Sequence, residues 1–235
     1  MQVQSNTNPL QPKRALWIEI SEVLGVAFFF FLLVLRVLDL RRYLGEDYAW
    51  LMVALSLVVG YLSADLFSGF VHWFCDRFFE EDTPVIGPMI IFPFREHHRD
   101  PERMTHHGFF ELNGNNCLAL VPFLGLFINE DVWFSGGFLI FWKAWLISVC
   151  LWIFLTNQLH AWAHTAHPPQ LILWLQKKRI FLSPKAHATH HSGDHSRGFC
   201  VTSGWMNPVM DHFRLFRACE HILVALGIPR TRAEN

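Results

Sequence analysis

The sequence predicts an all-α protein: a multi-pass membrane helical bundle of about four crossings, with a histidine-rich cap on its cytoplasmic side. Three observations lead there. Charged residues make up 17% of the 235, against about 25% in an average soluble domain, while 52% are apolar and the mean hydropathy is +0.24. Apolar runs near 16–38, 48–73 and 132–159 are each long enough for the ~20 residues that carry a helix across ~30 Å of hydrocarbon. Histidine is the anomaly: 14 of them stand in a chain otherwise poor in polar groups, most in short clusters. This composition excludes disorder and argues against an ordinary soluble globule. With 19 Lys and Arg against 20 Asp and Glu, there is no global attraction for nucleic acid, which is excluded as a partner.

Taken in chain order, residues 1–15 read as a cytoplasmic tail and 16–235 as a single integral-membrane domain. Lys13 and Arg14 precede the first run as they would in a signal peptide, but no small-residue cleavage site follows it and Arg36 does, so the segment is expected to stay as a membrane anchor. A polar turn, Asp39 to Asp47, separates spans one and two. Residues 117–128 form a shorter apolar run containing Pro122, and Asn129, Glu130 and Asp131 separate it from the run 132–159. These two are expected to be the arms of a helical hairpin, one short or kinked, giving four crossings. With the N-terminus inside, Arg36, Arg41 and Arg42 are external and Lys143 is intramembrane, where it either snorkels or pairs within the bundle. The remaining Lys and Arg are cytoplasmic, as the positive-inside rule requires.

The same topology gathers the histidines at the cytoplasmic face, in regions 72–116 and 160–212. Beyond the last span, Leu171–Leu175, then Lys177, Lys178 and Arg179, then Ile180–Leu182 read as a helix lying in the membrane interface with a basic rim. Asn207 and Pro208 form an N-cap and N1 pair. Val209, Phe213, Phe216, Leu223 and Leu226 follow at helical spacing as a packing face, closed by Gly227 and Pro229. The five cysteines are odd in number and contain no CxxC, so neither a disulfide framework nor a zinc knuckle is expected.

Four clusters carry the chemistry. In the first, steps of seven and four residues put Asp65, His72 and Asp76 on one helical face. The second is Phe94-Arg95-Glu96-His97-His98-Arg99-Asp100-Pro101, followed by His106 and His107. Adjacent histidines on a helix point ~100° apart, so His97 and His98 could serve two metals, or one could bind while its neighbour hydrogen-bonds. The third, His160 and His164 at the end of span four, is an i, i+4 pair with both imidazoles on one face. The fourth is His187, His190, His191 and His195; a shared stripe for His187, His191 and His195 requires the helix to survive Gly193. Imidazole suits Fe, Zn, Cu and Ni, and these boxes lack both structural-zinc thiolates and the Glu of HExxH. Eight or more imidazoles exceed the needs of one ion, so the cap is expected to be a di-metal site, and a redox-active pair at a membrane surface suggests O2 activation toward a lipid chain.

Six ordered blocks then resemble the plasmanylethanolamine desaturase (CarF or Kua) family, in the wider lipid-desaturase group that includes a plastid phosphatidylglycerol desaturase. They are ADLFSGFVHWFCD (64–76), PFREHHRDP (93–101), HGFFELNGNNC (107–117), TNQLHAWAH (156–164), KAHATHHSGDH (185–195) and FCVTSGWMNP (199–208). The resemblance implicates His72, His97, His98, His107, His160, His164, His187, His190, His191 and His195 as metal-binding catalytic residues. His106, His167, His212 and His221 do not match it and serve as internal controls. It implies two iron ions, O2 as co-substrate, and an external electron donor of cytochrome b5 or ferredoxin type with its reductase. It also implies an ether phospholipid substrate whose sn-1 alkyl chain becomes a C1–C2 vinyl ether. Asp76, Glu96 and Asp100 are candidates for orienting imidazole N–H from outside the ligand set, or for salt bridges to nearby Arg. Asn113, Asn116 and Asn157 are expected to cap or brace. The alternatives are a fatty-acyl desaturase of the same superfamily, a lipid hydroxylase, and a non-enzymatic membrane metal-binding adaptor. The membrane is expected to be a bacterial inner membrane or an endoplasmic reticulum.

Overall fold

A computed structural model describes residues 15–126, 129–193 and 195–231; the expected tail therefore lies outside it except for Ala15. Helices α1 (Leu16–Arg41), α2 (Ala49–Arg77), α4 (Phe109–Leu126) and α5 (Gly136–His164) form a bundle, and no strand occurs among the described residues. Three of these, α1, α2 and α5, are long and apolar enough to cross a membrane. The exposed residues of α1 and α2 include Leu24, Phe28, Phe31, Leu55 and Val58, an outer surface that suits lipid and would be anomalous in water.

Small residues let the helices approach. A Cβ on Gly60 of α2 would lie 2.4 Å from Ser148 Oγ of α5, and one on Gly114 of α4 would lie 2.4 Å from Glu22 Cβ of α1. Such contacts are the usual means of association where lipid removes the hydrophobic drive. Phe29 and Leu33 of α1 close the core with Cys117, Leu120, Leu124 and Cys150. Helix α4 runs alongside α1 in the same direction: Gly114 meets Glu22 near their starts, and Arg36 donates to Leu124 O near their ends.

The sequence placed this arm at 117–128, but the helix starts at Phe109. Its polar first half is accommodated because Asn116 Nδ2 donates to Ile153 O of α5 and Asn157 Nδ2 of α5 donates to Leu112 O, at 2.9 and 2.7 Å. Asn113 bonds within its own helix, to Phe109 O. Asn116 and Asn157 thus brace α4 against α5, whereas Asn113 does not reach another helix.

At the bundle end remote from the histidines, Lys143 finds partners. Its Nζ lies 2.5 Å from Asp39 Oδ2 and 3.1 Å from Glu130 Oε2, while Arg36 Nη1 lies 2.7 Å from Glu130 Oε1. Arg36, Lys143 and Glu130 are 7%, 4% and 2% exposed. Removing one partner from such a network strands buried charge, so Glu130→Ala is expected to cost about 3–5 kcal/mol. The melting temperature in detergent checks this; an unchanged value would mean that water already screens these cations.

After α2, a π-helical turn (Gly87–Ile91) leads directly into α3 (Phe92–Arg99). Beyond α5 lie α6 (Gln170–Lys177), the single turn α7 (Pro184–His187), α8 (Asn207–His212) and α9 (Leu215–Ala225). Helix α6 exposes Leu171 and Trp174 and buries Ile172 and Gln176. It does not continue to Leu182: Arg179 is left-handed (φ 58°), and the Ile180 N–H turns back to Leu175 O, a Schellman-type stop.

The continuous helix expected from Asn207 to Leu226 is also broken, at Arg214 (φ 51°). Met210 and Phe216 both pack on one cluster with Trp73 and Phe199. Six residues apart, they would face ~120° apart on an unbroken helix; the break rephases them. Consequently Phe216 is buried and Leu223 packs beside the cluster, whereas Val209, Phe213 and Leu226 are exposed and do not form the expected packing face.

Candidate metal centre

Four segments far apart in sequence deliver imidazoles to one end of the bundle. His72 lies in the last turns of α2, His97 and His98 end α3, and His160 and His164 end α5. The fourth segment begins with Ser183-Pro184: the Ser183 hydroxyl caps the Ala186 N–H and Pro184 occupies the first turn, so α7 is one turn long and ends on His187. His190, His191 and His195 follow on turns. The helix does not pass Gly193, and His195 is left-handed at φ 50°.

Nine of the ten implicated histidines converge. The side-chain nitrogens of His97, His160, His164, His187 and His191 lie within 4.8 Å of one another, as do those of His72, His97, His98 and His190, and those of His98, His191 and His195. His97, His98 and His191 each belong to two of these groups, so the three overlap. The Nε2 of His187 is 2.7 Å from His160 Nε2 and 2.9 Å from the Nε2 atoms of His164 and His191. Imidazole nitrogens ~2.1 Å from a shared ion at right angles lie about 3 Å apart, so this spacing is that of ligands around one point.

Two tautomers are set from outside. His72 Nδ1 donates to Phe199 O at 3.2 Å and His190 Nδ1 to Arg197 O at 2.9 Å, turning each Nε2 lone pair inward. His72 Nε2 and His97 Nε2 are buried without hydrogen-bond partners, which is costly in a metal-free protein and is resolved by a bound cation. By donor type, number and spacing, the residues fit transition-metal binding.

Asp76 Oδ2 lies 3.2, 3.4 and 3.5 Å from the Nε2 atoms of His98, His190 and His72, within reach of imidazole nitrogens as expected of a group that orients them. Glu96 instead pairs with Arg103 at 2.8 Å, and burial raises its carboxyl pKa. Asp100 is exposed at the end of α3. His107 stands apart from the three groups, 3.8 Å from Glu111, in the wall of a cavity. The controls His106, His167, His212 and His221 are also outside the groups.

Burial first, then the neighbouring imidazoles, lower the pKa values of His97 and His187 well below the ordinary range; the same causes bring His191 down to about 3 and lower His195. These four imidazoles are therefore neutral at pH 7, the form that binds metal. Each folded value lies below the ~6.5 of an unfolded histidine. The metal-free fold thus holds its full stability above pH ~6.5 and loses it as pH falls from there toward the folded values. Melting of chelator-treated protein between pH 7.5 and 5 checks this, and a pH-independent midpoint would contradict it.

Two residues that sequence reasoning missed hold the site in place. Asp65 was grouped with His72 and Asp76, but its buried carboxylate takes the backbone N–H groups of Thr202, Ser203 and Gly204 on Oδ1 and that of Met206 on Oδ2, at 2.7–3.1 Å. Arg95 bonds the carbonyls of Cys75, Phe78 and Phe79 at 2.7–3.1 Å, together with the Thr231 hydroxyl, tying α3 to the end of α2. Arg95 lies inside a histidine block, and only that position hinted at it.

Two cavities flank the cluster. One, of about 510 Å³, runs between α2, α3, α4 and α5; its wall is mainly apolar (Phe70, Phe74, Ile91, Phe94) and reaches His97 and His160. The other, of about 1240 Å³, is charged and opens on Asp76, His98 and His195.

Fold and site together define a helical membrane protein with a polyhistidine cluster able to hold metal beside a mainly apolar cavity. The chain belongs to the lipid desaturase domain family, whose model matches residues 61–234. It is 38% identical over 200 residues to the plasmanylethanolamine desaturase of Myxococcus xanthus, covering 83% of this chain and 70% of that one. It is 35% identical over 188 residues to plasmanylethanolamine desaturase 1 of Mus musculus, with 78% and 69% covered. The chloroplastic fatty acid desaturase 4 of Arabidopsis thaliana is 32% identical over 200 residues, with 80% and 58% covered. No solved structure matches. The protein is accordingly an oxidoreductase, a membrane lipid desaturase.

Proposed function

We propose that the protein introduces the vinyl-ether double bond at C1–C2 of the sn-1 alkyl chain of plasmanyl ethanolamine phospholipids. The observation that carries this reading is the apolar cavity ending on His97 and His160, beside the largest imidazole group. The two most similar named relatives above share the activity in their names. In the overall reaction, –CH2–CH2– plus O2, two electrons and two protons gives –CH=CH– plus two waters. The electrons come from an external carrier of cytochrome b5 or ferredoxin type.

Two iron ions, when bound, supply the O2-derived oxidising power. His160, His164, His187 and His191 would hold one. His72, His98 and His190 would hold the other, with Asp76 as a carboxylate ligand and His97 between the two. Phe70, Phe74, Ile91 and Phe94 hold the chain and exclude water, so that an unreactive CH2 pair stays beside the oxidant. The charged cavity on the His98 and His195 side gives the carrier and water a route that does not cross the lipid chain. Four crossings, with α4 as the third, put this end of the bundle at the cytoplasmic face.

The test expresses the chain in a host that contains alkyl ether phospholipids but lacks plasmalogens, followed by acid treatment of extracted lipid and assay of long-chain aldehyde. Aldehyde is expected with wild type, none with His164→Ala or His191→Ala, and near-normal yield with His221→Ala. Activity retained in both of the first two, with expression verified, would overturn the ligand assignment. A new acyl double bond without aldehyde would instead favour the acyl reading, to which the chloroplastic relative lends weight.

A further inference from the structure

The break at Arg214 turns an apolar face outward. Along α9, steps of seven and four residues set Leu215, Ile222 and Leu226 on one stripe. All three are exposed, Ile222 by 59% and Leu226 by 73%, and so are Val209 and Phe213, four residues apart in and just after α8. The neighbouring stripe faces the protein: Phe216 packs on Phe70 and Trp73 of α2, with ring centroids 5.4 and 5.7 Å apart. Arg217 and His221 occupy a third stripe, roughly opposite the first, and are exposed. A helix with one face on protein, one apolar and one polar suits a boundary between lipid and water. The contact with α2 sets its height. That span still exposes Phe67 and Val71 beside Phe70 and Trp73, so the lipid covering its outer surface extends to the level of α9.

We propose that α8 and α9 lie in the phospholipid leaflet at the histidine end of the bundle, with Phe213 and the Ile222 stripe among the acyl chains and Arg214 and Arg217 at the level of the phosphates. Exposed apolar side chains of this kind recur on separate elements of the same end: Phe109 and Phe110 begin α4, and Leu171 and Trp174 lie on α6, which follows α5 closely. A leaflet covers all three places at once, whereas one protein partner seated on α9 would leave the other two in water. Arginine suits the polar edge of such an element, because its stem packs on apolar surface while its guanidinium reaches phosphate oxygens. The seating bears on the metal centre. Phe216 packs edge-on against Phe199 with centroids 5.0 Å apart, and Phe199 O accepts from His72 Nδ1, so a leaflet that holds α9 also fixes the height of this imidazole against the lipid. The inference needs only the crossing helices and does not depend on which chain is desaturated.

The test attaches a fluorescent thiol label to Phe213→Cys, Ile222→Cys or Arg217→Cys, each in a Cys219→Ser background because the other four cysteines are buried. The metal-loaded full-length protein is reconstituted in vesicles of phosphatidylcholine and phosphatidylethanolamine. Quenching by lipids that carry a nitroxide at a known acyl carbon is compared with quenching by iodide in the water. Labels at 213 and 222 should be quenched by the lipid nitroxides and shielded from iodide, at a depth of ~5–10 Å below the phosphates. The label at 217 should show the reverse order. All three positions are exposed, and wild-type iron content in each labelled variant shows that it is folded. Iodide quenching at 213 and 222 as strong as at 217 would place this face in water and overturn the proposal. Protection of 213 and 222 from both quenchers would also overturn it, since a second copy or another protein would then cover the face. No activity is measured, so the outcome is separate from that of the reaction proposed above.

Discussion

His187→Ala is expected to abolish desaturation and to release metal, with activity down by at least about 100-fold, the upper range for losing even an outer partner of a metal ligand. His187 is the hub of the larger group: three other Nε2 atoms lie within 2.9 Å of its own. It is 2% exposed, so no water replaces the lost ligand without opening the site. Its position rests on a single helical turn capped by Ser183, which explains why one imidazole at the end of a four-residue helix is held firmly enough to centre the site. Metal analysis of the purified variant separates this from misfolding. The iron-to-protein ratio should fall in His187→Ala and stay at the wild-type value in His167→Ala, whose exposed imidazole lies outside the three groups. A full iron complement in His187→Ala would show that the ions lie elsewhere.

What could be read from the sequence was local, and what could not depends on long-range contacts. The i, i+4 step from His160 to His164 announces a shared face and the adjacent pair His97-His98 two neighbouring ones, and the structure brings these imidazoles into the same cluster. The apolar runs of α1, α2 and α5 likewise declare themselves, because lipid leaves no alternative to a long apolar helix. The start of α4 was hidden because its Asn-rich half reads as a turn until Asn116 and Asn157 find carbonyls on facing helices. The break at Arg214 was hidden because helical periodicity ran through it, while the burial of Phe216 against Trp73 and Phe199 decided the phase. His107 matched a family block, yet it stands in the cavity wall rather than with the other imidazoles. Asp76 and Asp65 looked equivalent on one helical face, and the folded chain gives them opposite tasks: one faces imidazoles and the other gathers backbone.

Asp65 therefore carries the second large prediction. Its carboxylate is 0% exposed and is met by N–H groups from Thr202, Ser203, Gly204 and Met206, more than 130 positions along the chain. Asp65→Ala would leave these four donors without their acceptor in a site too buried for water. At about 1–3 kcal/mol for each buried group left unmade, even partial relaxation leaves a loss of several kcal/mol, comparable with the ~5–15 kcal/mol that holds a typical domain together. The loop so released is continuous with Arg197 and Phe199, whose carbonyls orient His190 and His72. The expected result is a lower melting temperature together with loss of iron, although Asp65 contacts no imidazole among the bonds described. Asp65→Asn should fall between, since its one carbonyl oxygen can serve the three donors on Oδ1 while its NH2 opposes the Met206 N–H. Melting and iron content measured on the same preparations decide the matter. If Asp65→Ala loses iron while melting like wild type, the residue acts on the metal itself; if both fall in step and Asn restores both in part, it acts by holding the loop.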